Sequence, residues 1–303
     1  MHDIIIIGAG PAGLTAAIYA RQARKSVLIL EKESYGGQIL KATKVKNYPG
    51  FSEISGFEFS TNLYNQAMAL EPDIKFERVI EVKNLDGKKH VITEKNEYLA
   101  KAIIIATGAE SRKLGLNNEE KLLGKGISYC ATCDGMFFKD KDVAIIGGGN
   151  TAIDDAMYLS DIVKKLYLIY RRKEFRIESI NLDKLKNKDN VEIILDTNVV
   201  DIKGEDKLNS ITLKHNDSGE LKELNADALF IAAGHIPVTS MFDGLIKVDE
   251  KGYIISNEDC TTNMDGIFVA GDVRKKDIRQ LTTACSDGTI SALNACKYIN
   301  KNH

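Results

Sequence analysis

Asp3-Ile-Ile-Ile-Ile7, followed at once by Gly8-Ala-Gly10-Pro-Ala-Gly13, is the stretch on which the reading of this chain turns. The apolar run reads as a short buried strand, the glycines as a turn, and Leu14 to Ala23, rich in Ala and Leu, as a helix. In such a G-x-G-x-x-G pattern the first glycine makes the tight turn and the second lets the backbone approach a pyrophosphate. The third lets helix and strand pack closely, with the helix N-terminus facing the phosphate charge. The pattern returns further along. Asp142-Val-Ala-Ile-Ile146, then Gly147-Gly-Gly149-Asn-Thr-Ala152, then Ile153 to Leu159 repeats strand, turn and helix, now as G-x-G-x-x-A. Two copies, each in its strand–turn–helix context, predict two dinucleotide sites on an α/β scaffold.

The strand after each turn separates the two ligands. Ser26-Val-Leu-Ile-Leu30 ends at Glu31, where an acid hydrogen-bonds a ribose 2′-hydroxyl and repels a 2′-phosphate. At the equivalent place in the second copy, Leu166-Tyr-Leu-Ile169 runs into Tyr170-Arg171-Arg172, with Arg176 close behind. Guanidiniums there suit a 2′-phosphate by charge and by bidentate geometry. The plainer reading is a solvated basic turn, since Lys173 and Glu174 interrupt the run. The pairing of acid and arginines favours FAD in the first half and NADPH in the second.

A late segment points back to the first site. Asp265-Gly-Ile-Phe-Val-Ala270 reads as a strand that ends at Gly271-Asp272-Val273, and the Asp272 carboxylate is placed to hold the ribityl or pyrophosphate part of a flavin. Arg279-Gln280 precede a helical stretch, Leu281 to Tyr298. Ile103-Ile-Ile-Ala106-Thr107-Gly108 is another strand ending in small residues, matched in the second half by Ala232-Ala233-Gly234. The simplest threading is discontinuous: 1–113 and 246–303 form the FAD domain, and 114–245 form an inserted NADPH domain. Lys113 to Asn118 and Phe242 to Lys247 are the expected linkers. Ile211 to Lys214 and Ala228 to Ile231 read as strands that extend the inserted domain's sheet or form its crossover hairpin.

Composition narrows the class. The 303 residues carry 41 Lys+Arg against 43 Asp+Glu, a net charge of −2 with no long basic block, which argues against nucleic-acid or anionic-membrane binding. No apolar run approaches the ~18 residues that span a bilayer. The apolar start lacks a basic leader and a small-residue cleavage site, so a cytoplasmic location is expected. Five cysteines are an odd number and too few to staple a secreted chain of this length.

Cys130-Ala-Thr-Cys133 is a C-x-x-C pair followed by Asp134 and Gly135. As half of a zinc site it needs two more ligands, and Cys260, Cys285 and Cys296 are widely spaced, so no metal is expected. The functional reading is a redox dithiol, with the lone cysteines as small buried hydrophobes. Asp134, beside the pair, reads as a proton donor and acceptor for thiolate chemistry rather than as a turn acid. A hydride from a nicotinamide passes as two electrons to a flavin, then to this disulfide, then to a disulfide in another protein.

At this point the chain resembles the low-molecular-weight, bacterial-type thioredoxin reductases over nearly its whole length. The resemblance rests on CATCDG at 130–135, GGGNTA at 147–152, YRRKEFR at 170–176, GAGPAG at 8–13, GGQ at 36–38, NYPG at 47–50, ATG at 106–108, GDV at 271–273 and RQ at 279–280. It implies two Rossmann-like domains of the three-layer ββα type and a homodimer whose nicotinamide domain rotates between two poses. It implies that Cys133 faces the flavin, that Cys130 attacks thioredoxin and that Asp134 donates the proton. FAD contacts are implied at Gly8, Gly10, Pro11, Ala12, Gly13, Glu31, Gly37, Gln38, Asn47 and Val79. Further FAD contacts are implied at Ala106, Thr107, Gly108, Gly271, Asp272, Arg279 and Gln280. NADPH contacts are implied at Gly147, Gly149, Asn150, Thr151, Arg171, Arg172 and Arg176.

One residue departs from the pattern: Tyr170 stands where the family's phosphate motif has histidine. Alternative acceptors are a glutaredoxin-like protein or a peroxiredoxin system, and an alternative donor is ferredoxin. The peroxiredoxin-linked flavoprotein carries an extra amino-terminal dithiol module, which is not expected here because Gly8 follows Met1 so closely. A flavin-binding scaffold would need neither the C-x-x-C-D nor the second nucleotide site, and an oxidase would leave the cysteine pair without a purpose.

Overall fold

The computed structural model describes every residue except Thr43, Asp86, Glu178 and His303, and of Lys41 the backbone alone. The chain divides into two compact units, Met1–Glu110 with Ile236–His303, and Ser111–His235. In chain order the first unit opens with β1 (His2–Ile7), α1 (Pro11–Gln22), β2 (Val27–Glu31), α2 (Gly56–Met68) and β3 (Asp73–Phe76). It continues with β4 (Val79–Leu85), β5 (Lys88–Thr93) and β6 (Glu97–Ile105), and β7 (Ala109–Ser111) leads out of it. The second unit holds β8 (Ile127–Ser128), α3 (Ala131–Asp134), β9 (Asp142–Ile146), α4 (Asn150–Ser160), β10 (Lys165–Ile169), α5 (Ile180–Lys186) and β11 (Val191–Ile194). There follow β12 (Thr197–Lys203), β13 (Ser210–His215), β14 (Leu221–Asn225) and β15 (Ala228–Ile231). The chain returns through β16 (His235–Pro237), which pairs with β7, and ends with β17 (Ile267–Val269) and α6 (Leu281–Asn302).

In the first unit β3, β2, β1 and β6 lie side by side and parallel. The C-terminal half of β6 also pairs with β17 in parallel, while its N-terminal half enters an antiparallel meander with β5 and β4. Side chains alternate across a strand, and β1 uses both faces. Ile4 and Ile6 join a cluster with Leu14, Ala16 and Ala17 of α1 and Ala292, Ala295 and Ile299 of α6. Ile5 and Ile7 join a second cluster with Val79, Val82 and Val91 of the meander. The unbroken run of isoleucines is therefore what a parallel strand covered on both faces requires.

The second unit repeats this arrangement. Its parallel sheet runs β11-β10-β9-β15-β8, and β12-β13-β14 form a separate antiparallel meander. Val143 and Ile145 of β9 pack with Ile153, Ala156 and Leu159 of α4 and with Leu182 and Leu185 of α5. Ala144 faces the other way, into a cluster with Ile202, Ile211, Leu213 and Leu224 of the meander. Each unit is thus helices, parallel sheet and meander, the three-layer ββα architecture expected from the sequence.

Two details differ from that reading. The chain re-enters the first unit at Ile236 rather than near 246. The reason is apolar: Phe242 and Ile246, read as linker, are buried in the cluster under the first unit's sheet. The outward crossing comes at Glu110, just ahead of the Lys113–Asn118 stretch. Of the two segments read as sheet extension or crossover hairpin, Ala228–Ile231 extends the parallel sheet as β15, between β9 and β8, and Ile211–Lys214 lies in the antiparallel meander within β13. No helix of the described residues is long and apolar enough to cross a membrane.

Candidate functional site

Each unit presents one glycine turn at the C-terminal ends of its parallel strands, and the second also carries the cysteine pair. In the first unit Gly8 has φ +110°, and a Cβ placed there would meet the carbonyl oxygen of Ala106 at 2.3 Å. Gly13 is equally confined, since a Cβ would lie 1.9 Å from the Gly8 oxygen. The motif glycines therefore let β1, β6 and α1 converge on one point. Pro11 occupies the first turn of α1, where its missing N–H costs nothing.

The other residues expected at this site have these partners. Glu31, buried at the end of β2, accepts from the N–H of Ala9 at 2.8 Å and of Glu33 at 3.0 Å. The Gly36 N–H donates to Ala9 O at 2.8 Å, which brings Gly37 against Gly10. Gln38 donates to the carbonyl of Ala109, and the hydroxyl of Thr107, beside Gly108, donates to Val238 O at 2.7 Å. Asn47 donates to the Gln280 side chain at 3.1 Å. Gly271 packs beside Ala12, and its N–H donates to Asp287 on α6 at 3.1 Å. Arg279 lies over the Tyr253 ring at 3.9 Å and donates to the carbonyls of Asp272 and Arg274. Val79, at the start of β4, has its side chain buried in the cluster between sheet and meander.

Asp287, absent from the sequence reading, is buried and also bonds Lys276 Nζ at 2.8 Å. Its signal was a carboxylate within the otherwise small and apolar buried stripe of α6.

In the second unit Cys130 and Cys133 form a disulfide with Cα atoms 5.3 Å apart, and Cys130 caps α3. Ser128, also not anticipated, holds the local arrangement. Its hydroxyl donates to Asp134 at 2.6 Å and accepts from the Cys130 N–H at 3.0 Å. Burial raises the pKa of Asp134 above the ordinary carboxylate value, against the opposite pull of the Ser128 hydrogen bond. The other three cysteines are free thiols, with Cys260 pushed up to about 12 by burial and Cys285 and Cys296 raised for the same reason. Burial therefore disfavours the thiolate at all three free cysteines.

The second glycine turn repeats the first. Gly147 has φ +151°, and a Cβ there would meet Ala152 Cβ at 2.5 Å and Ala232 O at 2.6 Å. Gly149 caps α4, and nothing lies within 4 Å of where its Cβ would be. Asn150 and Thr151 are exposed in the first turn of α4. Tyr170 stacks on Phe175 with centroids 4.9 Å apart and 6° between planes, and its ring closes over Gly148. Arg171 and Arg176 are exposed and Arg172 half-buried. Among the described residues the three guanidiniums make no hydrogen bond or ion pair.

The family model for pyridine nucleotide-disulphide oxidoreductases matches residues 2–288. A thioredoxin reductase of Treponema pallidum is 40% identical over 300 residues, covering 99% of this chain and 97% of its own. A 34.2 kDa protein in the rubredoxin operon of Clostridium pasteurianum is 42% identical, covering 98% and 97%. The crystal structure of thioredoxin reductase from Streptococcus pyogenes superposes with a TM-score of 0.95 at 39% identity, covering 99% of both chains. With these matches spanning both glycine turns and the dithiol, the chain belongs to the pyridine nucleotide-disulphide oxidoreductase family, in its low-molecular-weight thioredoxin reductase branch.

Proposed function

We propose that this protein is an NADPH-dependent thioredoxin reductase that moves an electron pair through FAD to Cys130–Cys133 and on to the disulfide of thioredoxin. The observation that carries the reading is the Cys130–Cys133 disulfide beside a half-buried Asp134 whose carboxyl pKa is raised by burial, in the unit whose glycine turn adjoins three guanidiniums that are unpaired among the described residues. The residues fit both cofactors. Gly8 and Gly13 let strand and helix close together, and beside them Gly10 and Gly37 present bare backbone to a pyrophosphate, with Glu31 at the ribose end. The space before α4 at Gly149 is open, and Asn150 and Thr151 flank it for a pyrophosphate. Arg171, Arg172 and Arg176 are held ready for a 2′-phosphate. Bound FAD supplies hydride acceptance from NADPH and two-electron delivery to a disulfide.

The remaining chemistry belongs to the chain. Two electrons and two protons convert the Cys130–Cys133 disulfide to a dithiol. The Cys130 thiolate attacks one sulfur of the thioredoxin disulfide, forming a mixed disulfide and expelling the other sulfur as a thiolate. Asp134, protonated, delivers the proton that the leaving thiolate takes up. Cys133 then attacks Cys130 Sγ, which restores the internal disulfide and releases reduced thioredoxin. The homodimer implied by the family is part of the proposal and is measured by light scattering of the purified chain. A cytoplasmic location suits this chemistry, because the donor pool must be reducing.

Anaerobic stopped-flow absorbance tests the relay. The yellow holoenzyme is mixed with NADPH, NADH or reduced ferredoxin, then with oxidised thioredoxin. Rapid bleaching by NADPH is expected, with thioredoxin-driven reoxidation that Cys130→Ser abolishes. Bleaching by ferredoxin alone would overturn the donor. Bleaching by NADPH without reoxidation by thioredoxin would move the acceptor to a glutaredoxin-like protein or a peroxiredoxin.

A further inference from the structure

The turn that carries the arginines is anchored residue by residue to the loops beside it. Tyr170 N–H donates to Ile194 O at 2.8 Å, and Tyr170 O accepts from Thr197 N–H at 3.1 Å. Arg172 O accepts from Asp196 N–H at 2.9 Å. These ties are backbone to backbone, so they persist whatever the side chains are. Arg171 is tied differently. Its carbonyl accepts from the side-chain amide of Asn216, at 2.9 Å, in the turn between β13 and β14. Next to it, Lys173 is ion-paired with Asp217 of the same turn.

Asn216 is itself fixed from three sides. Its backbone N–H donates to Asp196 O at 2.8 Å, and its amide nitrogen also donates to Asp196 Oδ1 at 3.2 Å. Its amide oxygen accepts from Asn198 on β12 at 2.7 Å. Both donor hydrogens and the acceptor oxygen are therefore in use, although the residue is exposed. An exposed asparagine has water for a partner at no cost, so a fully engaged amide whose longest-range contact is the Arg171 carbonyl points to a placement role.

Resting on the NADPH reading above, we propose that Asn216 is a specificity-positioning residue. It never touches the nucleotide, but it holds the backbone of Arg171 so that the Arg171 and Arg172 forks stay aimed at the 2′-phosphate. A planar guanidinium recognises phosphate bidentately only over a narrow range of angles, so slack in the backbone that carries it is felt as lost discrimination. The role is heightened by Tyr170, which stacks on Phe175 over Gly148 and brings no positive charge. Recognition then falls on arginines alone.

The test uses the holoenzyme and two half-ligands, 2′,5′-ADP and 5′-AMP, whose dissociation constants are measured by calorimetry. Their ratio isolates the 2′-phosphate. In Asn216→Ala the 2′,5′-ADP constant is expected to rise about threefold to fivefold, the weight of one polar contact, with 5′-AMP binding unchanged. Asn198→Ala, which frees the amide of Asn216 to turn, moves the ratio the same way by less. An unchanged ratio in both variants, or an equal weakening of both ligands, overturns the inference while leaving the NADPH reading intact. A wild-type protein that binds the two ligands alike overturns the NADPH reading and the inference with it.

Discussion

Burial raises the pKa of Asp134, and this sets its pH behaviour. Because its folded pKa lies above the unfolded value, ionising it in the native state costs free energy. The stability that the protonated form contributes is full below the ordinary carboxylate pKa and is lost as pH rises through the raised value. Asp134→Asn removes the ionisable proton yet retains an oxygen for the Ser128 hydroxyl. Thioredoxin-driven turnover is expected to fall by about 10²-fold or more, while thermal stability at pH 8 is maintained or improved. A parallel loss of stability and turnover would reduce Asp134 to a structural residue. This acid was legible in the sequence because it adjoins the cysteines, whereas Ser128, which bonds it from before the pair, was not. A lone serine carries no pattern until the chain is folded around it. The same holds for Asn216, which joins Arg171 only because two turns meet.

At the scale of elements, α4 carries two adjacent acids with different environments. Asp154 accepts a hydrogen bond from Asn181 of α5 at 2.8 Å. Asp155 is raised to about 6, first by burial and then by the negative charge of Asp154. Its protonated form stabilises the native state fully below the ordinary value near 3.8, and that contribution disappears as pH rises through about 6. Asp155→Asn is therefore expected to match the wild type in stability near pH 4 and to exceed it at pH 8 by about 1 kcal/mol after allowance for partial exposure, read as a higher melting temperature at pH 8 only. Equal melting temperatures at pH 8 would show that solvent already satisfies the charge. The element itself was easily read, because strand, glycine turn and Ala-rich helix follow one another in strict order. The meanders β4–β5–β6 and β12–β13–β14 were largely not. Their strands are rich in Lys, Glu and Asn on an exposed face, and only a half-strength alternation marks the buried one. The crossings were misplaced for a related reason. Phe242 and Ile246 sit among turn residues and show their core role only through long-range packing.

Across the whole molecule, the buried clusters sort by unit. The two clusters built on β1, together with the smaller one around Val45, Ile54 and Phe59, draw on the first unit alone. The two built on β9 draw on the second alone. Hydrophobic burial is the dominant cohesive term, so each unit holds most of its own stabilising free energy, and the second is one uninterrupted segment, Ser111–His235. A ligand that binds only a folded unit stabilises that unit in proportion to the logarithm of its concentration, by about 2.7 kcal/mol at a hundred times its dissociation constant. Scanning calorimetry of the protein freed of FAD is thus expected to resolve two transitions, of which FAD raises one and 2′,5′-ADP the other. That selectivity would assign each nucleotide to its unit by a route independent of turnover. A single transition moved equally by both ligands would mean that the units unfold as one, and that the inserted segment depends on the first unit for its stability.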